Sequence, residues 1–423
     1  MNDPIDETAK GERRRILILT ADAGFGHRSA ANAVASALHE LYGDQCEVII
    51  VNPLEDKRVA FFLRDNSSDY DKMVRNMPEL YRLSYDVSDA SLPVVIVEQA
   101  LTVLLFEVMR DVVRKNRPDA ILSTYPLYQA PLRAVFTMMG KPIPLLVTVT
   151  DLVTVHRLWF SSSVDQLMVP TPIVRDMALN AGLSPEQVKI VGIPVNPEVV
   201  REKRSPQAIR KAFGLNPEMT TVLAVGSKRV DHLTTTINVL NHFGKPLQLV
   251  VVAGKDETLY RQLKGMDWHV PHKLYEFSNS VPTLMKAADF IVCKAGGLIV
   301  TEGLACGKPL LLIDAIPGQE TGNAEYVVQN GAGEFVAQPI EVLETVSHWL
   351  SNDGRLLRMR AERAAELGRP NAAYETAAAL WAAAEHAPGS ARNESGNNRL
   401  RLIDLLTRNH VPLDDDSSAA RAD

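Results

Sequence analysis

The stretch ILILTADAGFGHRSAANAVASAL, residues 16–38, joins an apolar run of strand length to an alanine-rich run of helical length. Two glycines, Gly24 and Gly26, and then His27 lie between the two runs. Glycine permits a tight turn and a close approach of the backbone to a ligand, and the start of a helix favours negative charge. The stretch therefore predicts a strand, a ligand-binding turn and a helix, with His27 in the first helical turn.

The same alternation of strand-like and helical runs recurs along the chain. The strand-like runs are residues 16–20, 46–51, 119–124, 144–150 and 166–170 in the first half, and 221–226, 247–254, 273–277, 289–293 and 309–313 in the second. Runs rich in Val, Ile and Leu that alternate with helices are typical of parallel sheets covered on both faces. The pattern predicts an α/β protein with two doubly wound parallel sheets, whose ligands bind in a cleft outside the carboxyl ends of the strands.

The length of 423 residues also favours more than one domain. The prolines and charges of residues 192–219 indicate a linker plus one helix between the two series of strands. We predict a flexible N-terminus at 1–15, an N-terminal domain at 16–200 and a C-terminal domain at 201–386. The Ser-, Asn-, Arg- and Asp-rich tail at 387–423 has the composition of a disordered segment.

Composition excludes several classes of protein. The net charge of −6 is spread over both halves, which argues against a nucleic-acid-binding protein. The three cysteines lie far apart and indicate neither a disulfide framework nor a zinc site, so we expect a reducing, cytoplasmic compartment. The apolar stretch at 92–109 is interrupted by charged residues, and we expect it not to span a membrane. No metal-binding constellation stands out, and DYD at 69–71 is interpreted as a solvated loop.

The turn before His27 departs from a dinucleotide-binding fingerprint. The third glycine of that motif would fall at Ser29, and the second strand leads to Asn52, where such folds place an acid. A helix N-terminus disfavours imidazolium, so a neutral His27 able to accept a proton is one interpretation. The alternative is a histidine that only caps or packs. Asp151, just after a strand, either orients His27 or the acceptor, or caps a helix.

A second turn of the same kind occurs in the C-terminal half. In CKAGGLIVTEGLACGKPLLLI, residues 293–313, a strand ends at Gly296 and Gly297 and a helix follows. Its first amides are suited to a phosphate, and Glu302, one and a half turns into the helix, is placed to accept from a vicinal diol. The alternative for Glu302 is a solvated helix acid.

Two further loops carry candidate donor-binding groups. Gln319, Glu320 and Asn323 are candidates to pair with sugar hydroxyls, unless they form an ordinary polar loop. The turn VGSKRVD, residues 225–231, is a candidate to bind a diphosphate through its backbone and a basic pair. The alternative is a basic turn at the surface without a ligand. The candidate residues in VGSKRVD are Gly226, Ser227, Lys228 and Arg229.

Taken together, the motifs resemble the glycosyltransferase family 28 enzymes of lipid glycosylation, namely the monogalactosyldiacylglycerol synthases and the processive diacylglycerol glucosyltransferases. The matching segments are ADAGFGHRSAANAV, MPELYRLSYDVSD, VTVTDLVTVHRLWF, VPTPIVRDMALNAGLSPEQVKIVGIPVNP, KAGGLIVTEGLACGKPLLL and IPGQETGNAEYVVQNGAG. The resemblance implies a GT-B fold of two Rossmann-like domains facing a cleft, with the donor bound mainly by the second. It also implies inverting transfer of a hexose from UDP-glucose or UDP-galactose to the hydroxyl of diacylglycerol or a similar glycolipid, with no essential metal or cofactor.

Individual roles follow from the same resemblance. His27 corresponds to the general base, Glu302 to the ribose ligand, Gln319 and Glu320 to the hexose loop, and Gly296 and Gly297 to the phosphate turn. The sequence departs from the family at Phe25, which separates two glycines that are usually adjacent.

The acceptor side is predicted from the lipid. Gly24, Gly26, His156, Trp159 and Phe160 are expected there. Because diacylglycerol stays in its membrane, we expect a cytoplasmic protein peripherally attached to the inner face of the cell membrane, docking through 92–109 and 157–160. The alternative for 92–109 is a core helix.

Three other functions remain open. A UDP-N-acetylglucosamine 2-epimerase shares the second Gly-Gly turn but has no need of the Gly-x-Gly-His turn or of TDLVTVHRLWF. A non-catalytic UDP-sugar sensor would keep Glu302 and dispense with His27. A transferase acting on a soluble aglycone would keep the whole site and lack membrane contact.

Overall fold

The computed structural model describes residues 13–22, 26–60, 63, 94–227, 230, 232–318 and 320–386. Two six-stranded parallel sheets form the body of this part of the chain. The first has the strand order β2-β1-β3-β4-β5-β6, and the second β12-β11-β10-β7-β8-β9. The prediction of two doubly wound sheets is therefore confirmed.

The strands of the first sheet are β1 Arg14–Leu19, β2 Cys46–Val51, β3 Ala120–Ser123, β4 Leu145–Thr148, β5 Gln166–Val169 and β6 Val188–Ile190. Those of the second are β7 Thr220–Val225, β8 Leu247–Val252, β9 His272–Tyr275, β10 Phe290–Lys294, β11 Leu310–Asp314 and β12 Gly333–Phe335. All ten predicted runs are strands. The edge strands β6 and β12, of three residues each, were not predicted.

The helices cover both faces of the sheets. In the first half and the connection they are α1 Gly26–Tyr42, α2 Val94–Asn116, α3 Gln129–Met139, α4 Pro172–Asn180, α5 Glu198–Arg201 and α6 Pro206–Ala212. In the second half they are α7 Leu233–Asn241, α8 Glu257–Lys264, α9 Val281–Ala287, α10 Gly297–Ala305, α11 Thr321–Gln329, α12 Pro339–Trp349, α13 Arg355–Leu367 and α14 Ala372–His386. The predicted linker at 192–219 thus holds two short helices, α5 and α6, instead of one.

Alternation along β1 shows how the first sheet is buried. Leu17 and Leu19 belong to one apolar cluster, and Ile16 and Ile18 belong to the cluster on the other face. All four side chains are fully buried. A strand covered on both faces must be apolar at every position, which explains the continuous run in the sequence.

The last helix, α14, follows the second sheet in the sequence but packs against the first sheet. The alanine-rich face of α14 is buried with α1 and the first sheet, and Trp381 stacks on Tyr42 with ring centroids 4.2 Å apart. The hydroxyl of Tyr374 donates to Glu40 at 2.6 Å. The expected C-terminal domain at 201–386 therefore needs correction, because residues 372–386 pack against the N-terminal domain. Small side chains let this helix approach α1 closely.

The two chain crossings between the sheets touch each other. Gly192 has φ +101, and a Cβ there would lie 2.5 Å from the Cβ of Arg369. Only glycine satisfies both the backbone angle and this close approach. The connection from the first sheet to the second therefore contacts the segment by which the chain returns to the first sheet.

Candidate active site

Both predicted ligand turns lie where their sheet reverses its strand order. In the first sheet the reversal is between β1 and β3, and in the second it is between β7 and β10. His27 follows β1 and Thr124 follows β3, while Gly296 and Gly297 follow β10. Ligands of open parallel sheets bind outside the carboxyl ends of strands at such switch points.

His27 is the second residue of α1 and is fixed through one ring nitrogen. Its Nδ1 lies 2.8 Å from the carbonyl oxygen of Thr124 and 2.7 Å from Oγ1 of Thr150. A carbonyl oxygen can only accept, so the network assigns the proton of the neutral ring to Nδ1. Nε2 then keeps its lone pair, and no hydrogen bond joins it to the described residues, so it can accept a proton.

The surroundings of His27 favour the neutral ring. Burial lowers its pKa, and the charge of Asp151 opposes that effect without reversing it. The ring of Tyr125 packs edge-on against His27 at 4.9 Å between centroids. A neutral imidazole with one free nitrogen is the form that a general base requires.

An ion pair holds the residues on either side of the first turn. The guanidinium of Arg28 donates two hydrogen bonds of 2.7 Å to Asp22, and Asn52 adds a third at 3.1 Å. Arg28 lowers the pKa of Asp22 and keeps it charged. Gly26 begins α1, and a Cβ there would meet nothing within 4 Å. Gly24 lies outside the described residues.

Asp151 accepts a hydrogen bond from the indole Nε1 of Trp159 at 2.7 Å. Burial raises its pKa, against the opposing effects of His27 and of that hydrogen bond. No helix starts at Asp151, so the helix-cap alternative is wrong. Its carboxylate lies close enough to His27 for the two charges to interact, and the pair suits stabilisation of a transient imidazolium.

The segment RLWF has a different place from the expected one. Trp159 is completely buried and its ring lies 6.1 Å from that of His27, so its expected place at a membrane contact is wrong. Its indole N–H keeps a hydrogen-bond partner in this buried position, because it donates to Asp151. His156 accepts from the backbone of Leu158 and caps the short turn, and Phe160 packs partly buried against the first core. In the described part of the predicted docking stretch, Leu105, Phe106 and Met109 are core residues, whereas Val103 and Leu104 are 54% and 38% exposed.

The second turn would accept a methyl group at either of its two glycines. Gly296 precedes α10, and no side chain caps the first turn of this helix within the described residues. A Cβ at Gly296 would lie 3.4 Å or more from its neighbours, and one at Gly297 3.7 Å or more. Neither glycine has a positive φ. Internal packing therefore does not require glycine at either position, which points to a ligand that approaches the backbone.

Glu302 projects from the middle of α10 and is half-buried. Burial raises the pKa of its carboxyl to about 7. A desolvated carboxyl at that position gains stability when hydroxyl groups donate to it. The structure is therefore compatible with the predicted diol ligand and not with a fully solvated helix acid.

Glu320 and Asn323 are buried beneath the second turn. Glu320 accepts from Lys294 at 2.6 Å and from the backbone of Ile316 at 2.8 Å. Asn323 donates to the carbonyl of Ala295 at 3.0 Å. We predicted that these two side chains pair with sugar hydroxyls, with an ordinary polar loop as the alternative. In the structure both make hydrogen bonds beside the Gly296–Gly297 turn. Gln319 lies outside the described residues.

The turn after β7 contributes its backbone to the same edge. A Cβ at Gly226 would come within 2.7 Å of Leu233 and Leu259, so packing accounts for this glycine. Ser227 follows it, partly exposed. Lys228 and Arg229 fall outside the part of the chain that the structure describes.

Thr150 brings the two turns together. Its hydroxyl contacts His27, and its carbonyl oxygen lies 3.7 Å from the position of a Cβ on Gly297. Nearby, the hydroxyl of Thr154 lies 2.4 Å from the position that a Cβ on Gly322 would take, so a larger residue at 322 would require Thr154 to move. The candidate base and the candidate phosphate turn therefore contact the same residue, Thr150.

Sequence reasoning missed three members of this site, namely Thr124, Thr150 and Lys294. Each lies at or just beyond the carboxyl end of a strand. Polar residues at that edge were the available signal, because parallel strands end on the same side.

Two properties of the described residues concern a membrane and a metal ion. None of their helices combines the length and the apolar character needed to cross a membrane. The same residues contain no group of three His, Cys, Asp or Glu side chains arranged to hold a metal ion.

Comparison with known proteins gives the family. Residues 27–195 match the family model for monogalactosyldiacylglycerol synthase, and residues 220–378 match that of the glycosyltransferase family 28 C-terminal domain. The monogalactosyldiacylglycerol synthase of Spinacia oleracea is 31% identical over 385 residues, which cover 88% of this chain and 73% of the relative. A probable monogalactosyldiacylglycerol synthase 2 of Oryza sativa subsp. indica is 31% identical over 376 residues, 86% of this chain and 79% of the relative.

Solved structures confirm the GT-B fold. Acinetobacter baumannii MurG aligns with a TM-score of 0.57 at 14% identity, covering 88% of this chain and 99% of that one. CalG4, the calicheamicin glycosyltransferase, aligns with a TM-score of 0.55 at 13% identity, with coverages of 88% and 99%. The chain is a glycosyltransferase and belongs to the monogalactosyldiacylglycerol synthase family.

Proposed function

We propose that this enzyme transfers a hexose from a UDP-sugar to the free hydroxyl of diacylglycerol with inversion at the anomeric carbon. The names of its relatives support diacylglycerol as the acceptor and galactose as the transferred sugar. Glucose, from UDP-glucose, is the alternative sugar. The observation that carries the proposal is the geometry of His27, whose Nδ1 is hydrogen-bonded, which leaves the lone pair of the neutral ring on Nε2.

The donor would bind against the second sheet. The turn at Gly296 and Gly297 suits the diphosphate, which would accept from the first amides of α10, where no side chain caps the helix. Glu302 would accept from the ribose hydroxyls, and its raised pKa would fall as they donate. Lys294 and Glu320 would hold the turn in shape from below.

The reaction would then proceed by direct displacement. The acceptor oxygen forms a bond to the anomeric carbon as the bond from that carbon to the diphosphate oxygen breaks. The hydroxyl proton passes to Nε2 of His27, and UDP leaves with the bonding electron pair. A placed general base contributes roughly 10²–10⁴-fold to such a step.

The charges that develop would be met by groups at the two turns. The positive ring of His27 faces Asp151, and the leaving diphosphate faces the N-terminus of α10. Preorganised dipoles of this kind stabilise a transition state without reorganisation. The proposal therefore assigns leaving-group stabilisation to the protein and needs no metal ion.

The acceptor would reach the cleft from a membrane surface. Diacylglycerol has two acyl chains and does not leave its bilayer, so the enzyme would have to attach peripherally, which we place at the inner face of the cell membrane from the cytoplasm. Val103 and Leu104 on α2 are exposed apolar side chains available for that contact.

The test is transfer of label into lipid. Purified enzyme is incubated with diacylglycerol liposomes and either radiolabelled UDP-galactose or UDP-glucose, and the organic phase is counted. We expect label from UDP-galactose above that from UDP-glucose, and an inverted anomeric configuration in the product by proton NMR. Tight UDP binding without label in lipid from either donor would refute the diacylglycerol acceptor and favour a soluble aglycone or a sensor.

A further inference from the structure

The side chain of Thr150 contacts the candidate base, but the proposed reaction gives it no role. The side chain is buried, 6% exposed, at the carboxyl end of β4. Its Oγ1 lies 2.7 Å from Nδ1 of His27, on a residue 123 positions away in the sequence. The same Nδ1 also faces the carbonyl of Thr124 at 2.8 Å.

We propose that the Thr150 hydroxyl is a positioning group for the base, acting as a second acceptor for the Nδ1–H of His27. The proposal rests on the proposed role of His27 as general base. Since the Thr124 carbonyl requires a proton on Nδ1, Oγ1 of Thr150 contacts that proton through a lone pair. Two oxygens on one N–H hold the plane of the ring and direct Nε2 into the cleft.

The second acceptor matters most when the ring is charged. Transfer of the substrate proton to Nε2 makes an imidazolium, whose remaining N–H groups are stronger donors. Hydrogen bonds from the charged form raise the pKa of a base and partly oppose the effect of burial. Thr150 therefore favours the protonated state that forms during the transfer.

Other charged and aromatic groups lie around His27, and the charge of one of them, Asp151, acts on its pKa. Asp151 raises the pKa by its charge, and the Tyr125 ring packs edge-on against the imidazole. The neighbouring Arg28 is neutralised by Asp22. None of these groups touches Nδ1, so removal of the Thr150 hydroxyl changes one contact and leaves these three groups in place.

Thr150 also connects the base to the donor side. Its carbonyl oxygen packs beside Gly297, at 3.7 Å from the Cβ position. A single residue thus contacts the base with its side chain and the candidate phosphate turn with its backbone. Substitution of the side chain leaves the backbone contact intact, which separates the two roles.

The experiment compares Thr150→Val, which lacks the hydroxyl at nearly the same shape, with Thr150→Ser, which restores it. Nitrogen-15 NMR follows the His27 ring against pH without any acceptor. We expect a protonated Nδ1 in the neutral ring of the wild type. We also expect a titration midpoint lower by about 0.5–1 pH unit in Thr150→Val and near wild type in Thr150→Ser.

Transfer kinetics give the second readout. Thr150→Val is expected to lower kcat roughly tenfold, a share of what a placed base supplies, with the KM for UDP-sugar nearly unchanged and the acid limb moved to lower pH. Thr150→Ala replaces Thr150→Val in both readouts if the valine variant fails to fold. A midpoint and kcat within twofold of wild type in Thr150→Val would overturn the proposal, as would a serine variant that behaves like valine. If the wild type transfers no label to lipid, the proposed function fails, and the NMR midpoints still decide the role of Thr150.

Discussion

Gly297→Ala separates a ligand-binding glycine from a structural one. The added Cβ would lie 3.7 Å from the carbonyl oxygen of Thr150 and 3.8 Å from Nδ2 of Asn323, which are ordinary van der Waals distances. Gly297 opens α10 without a positive φ, so alanine fits the backbone. Alanine in place of a compatible glycine stabilises a protein by about 0.4–1 kcal/mol through the unfolded state. We therefore expect an unchanged or slightly higher melting temperature.

The same methyl group would fill the space assigned to the diphosphate. We expect UDP to bind at least tenfold more weakly, which corresponds to about 1.4 kcal/mol. Isothermal titration calorimetry measures that affinity, and thermal unfolding without ligand measures stability. Gly333→Ala is the matched control, because its Cβ would lie 2.1 Å from the backbone oxygen of Leu310. Overpacking there costs about 1–3 kcal/mol or more.

The results discriminate between two kinds of glycine. A stable Gly297→Ala protein that binds UDP as tightly as the wild type would refute the phosphate turn. A large loss of stability, comparable to that of Gly333→Ala, would show that packing requires the glycine and that the reasoning from free space is wrong.

Further predictions concern the groups around the two turns. Because burial raises the pKa of Glu302 from 4.5 to about 7, the unliganded protein should lose stability as pH rises through that interval, and Glu302→Gln should abolish this loss in urea unfolding curves. Glu302→Gln should also weaken UDP binding, and an unchanged affinity would exclude a ribose contact. Lys294→Met should destabilise the protein by about 3–5 kcal/mol, because it leaves the buried Glu320 carboxylate unpaired, and adding Glu320→Gln should recover part of the loss. Trp159→Phe removes the N–H donor to Asp151, so the pKa of Asp151 should rise further and transfer should fall most at the acid end of the profile, as rates across a pH series would show.

The sheets were predictable because a buried strand can be recognised from its own run of apolar residues. Residues 16–19 of β1 and 249–252 of β8 are buried, continuous apolar runs, whereas the edge strands β6 and β12 are three residues long and carry too little pattern to be recognised. The return of α14 to the first sheet depends on its fit to α1, which no local pattern encodes. An alanine-rich sequence indicates that the helix packs closely, but it does not indicate which element the helix packs against.

The site divides in the same way. The positions of His27, Gly297 and Glu302 in the fold were predictable, because a turn after a strand and a helix position are local features, and their roles stay predictions. The contacts that give His27 its protonation state join residues 97 and 123 positions apart, to Thr124 and Thr150. Glycines at 296 and 226 looked alike in sequence, and only the neighbouring atoms distinguish free space from close packing.

The central claim is that His27 removes the acceptor proton without holding the donor. The most direct measurement compares kcat for lipid glycosylation and the Kd for UDP in wild type and His27→Ala. His39→Ala serves as the control, since His39 lies on the same helix with its Nδ1 at a backbone carbonyl, 2.7 Å from the oxygen of Ala35. We predict a fall of about 10²–10⁴-fold in kcat for His27→Ala, with the Kd for UDP within about twofold and with His39→Ala like wild type. A kcat within tenfold of wild type in His27→Ala would contradict the account.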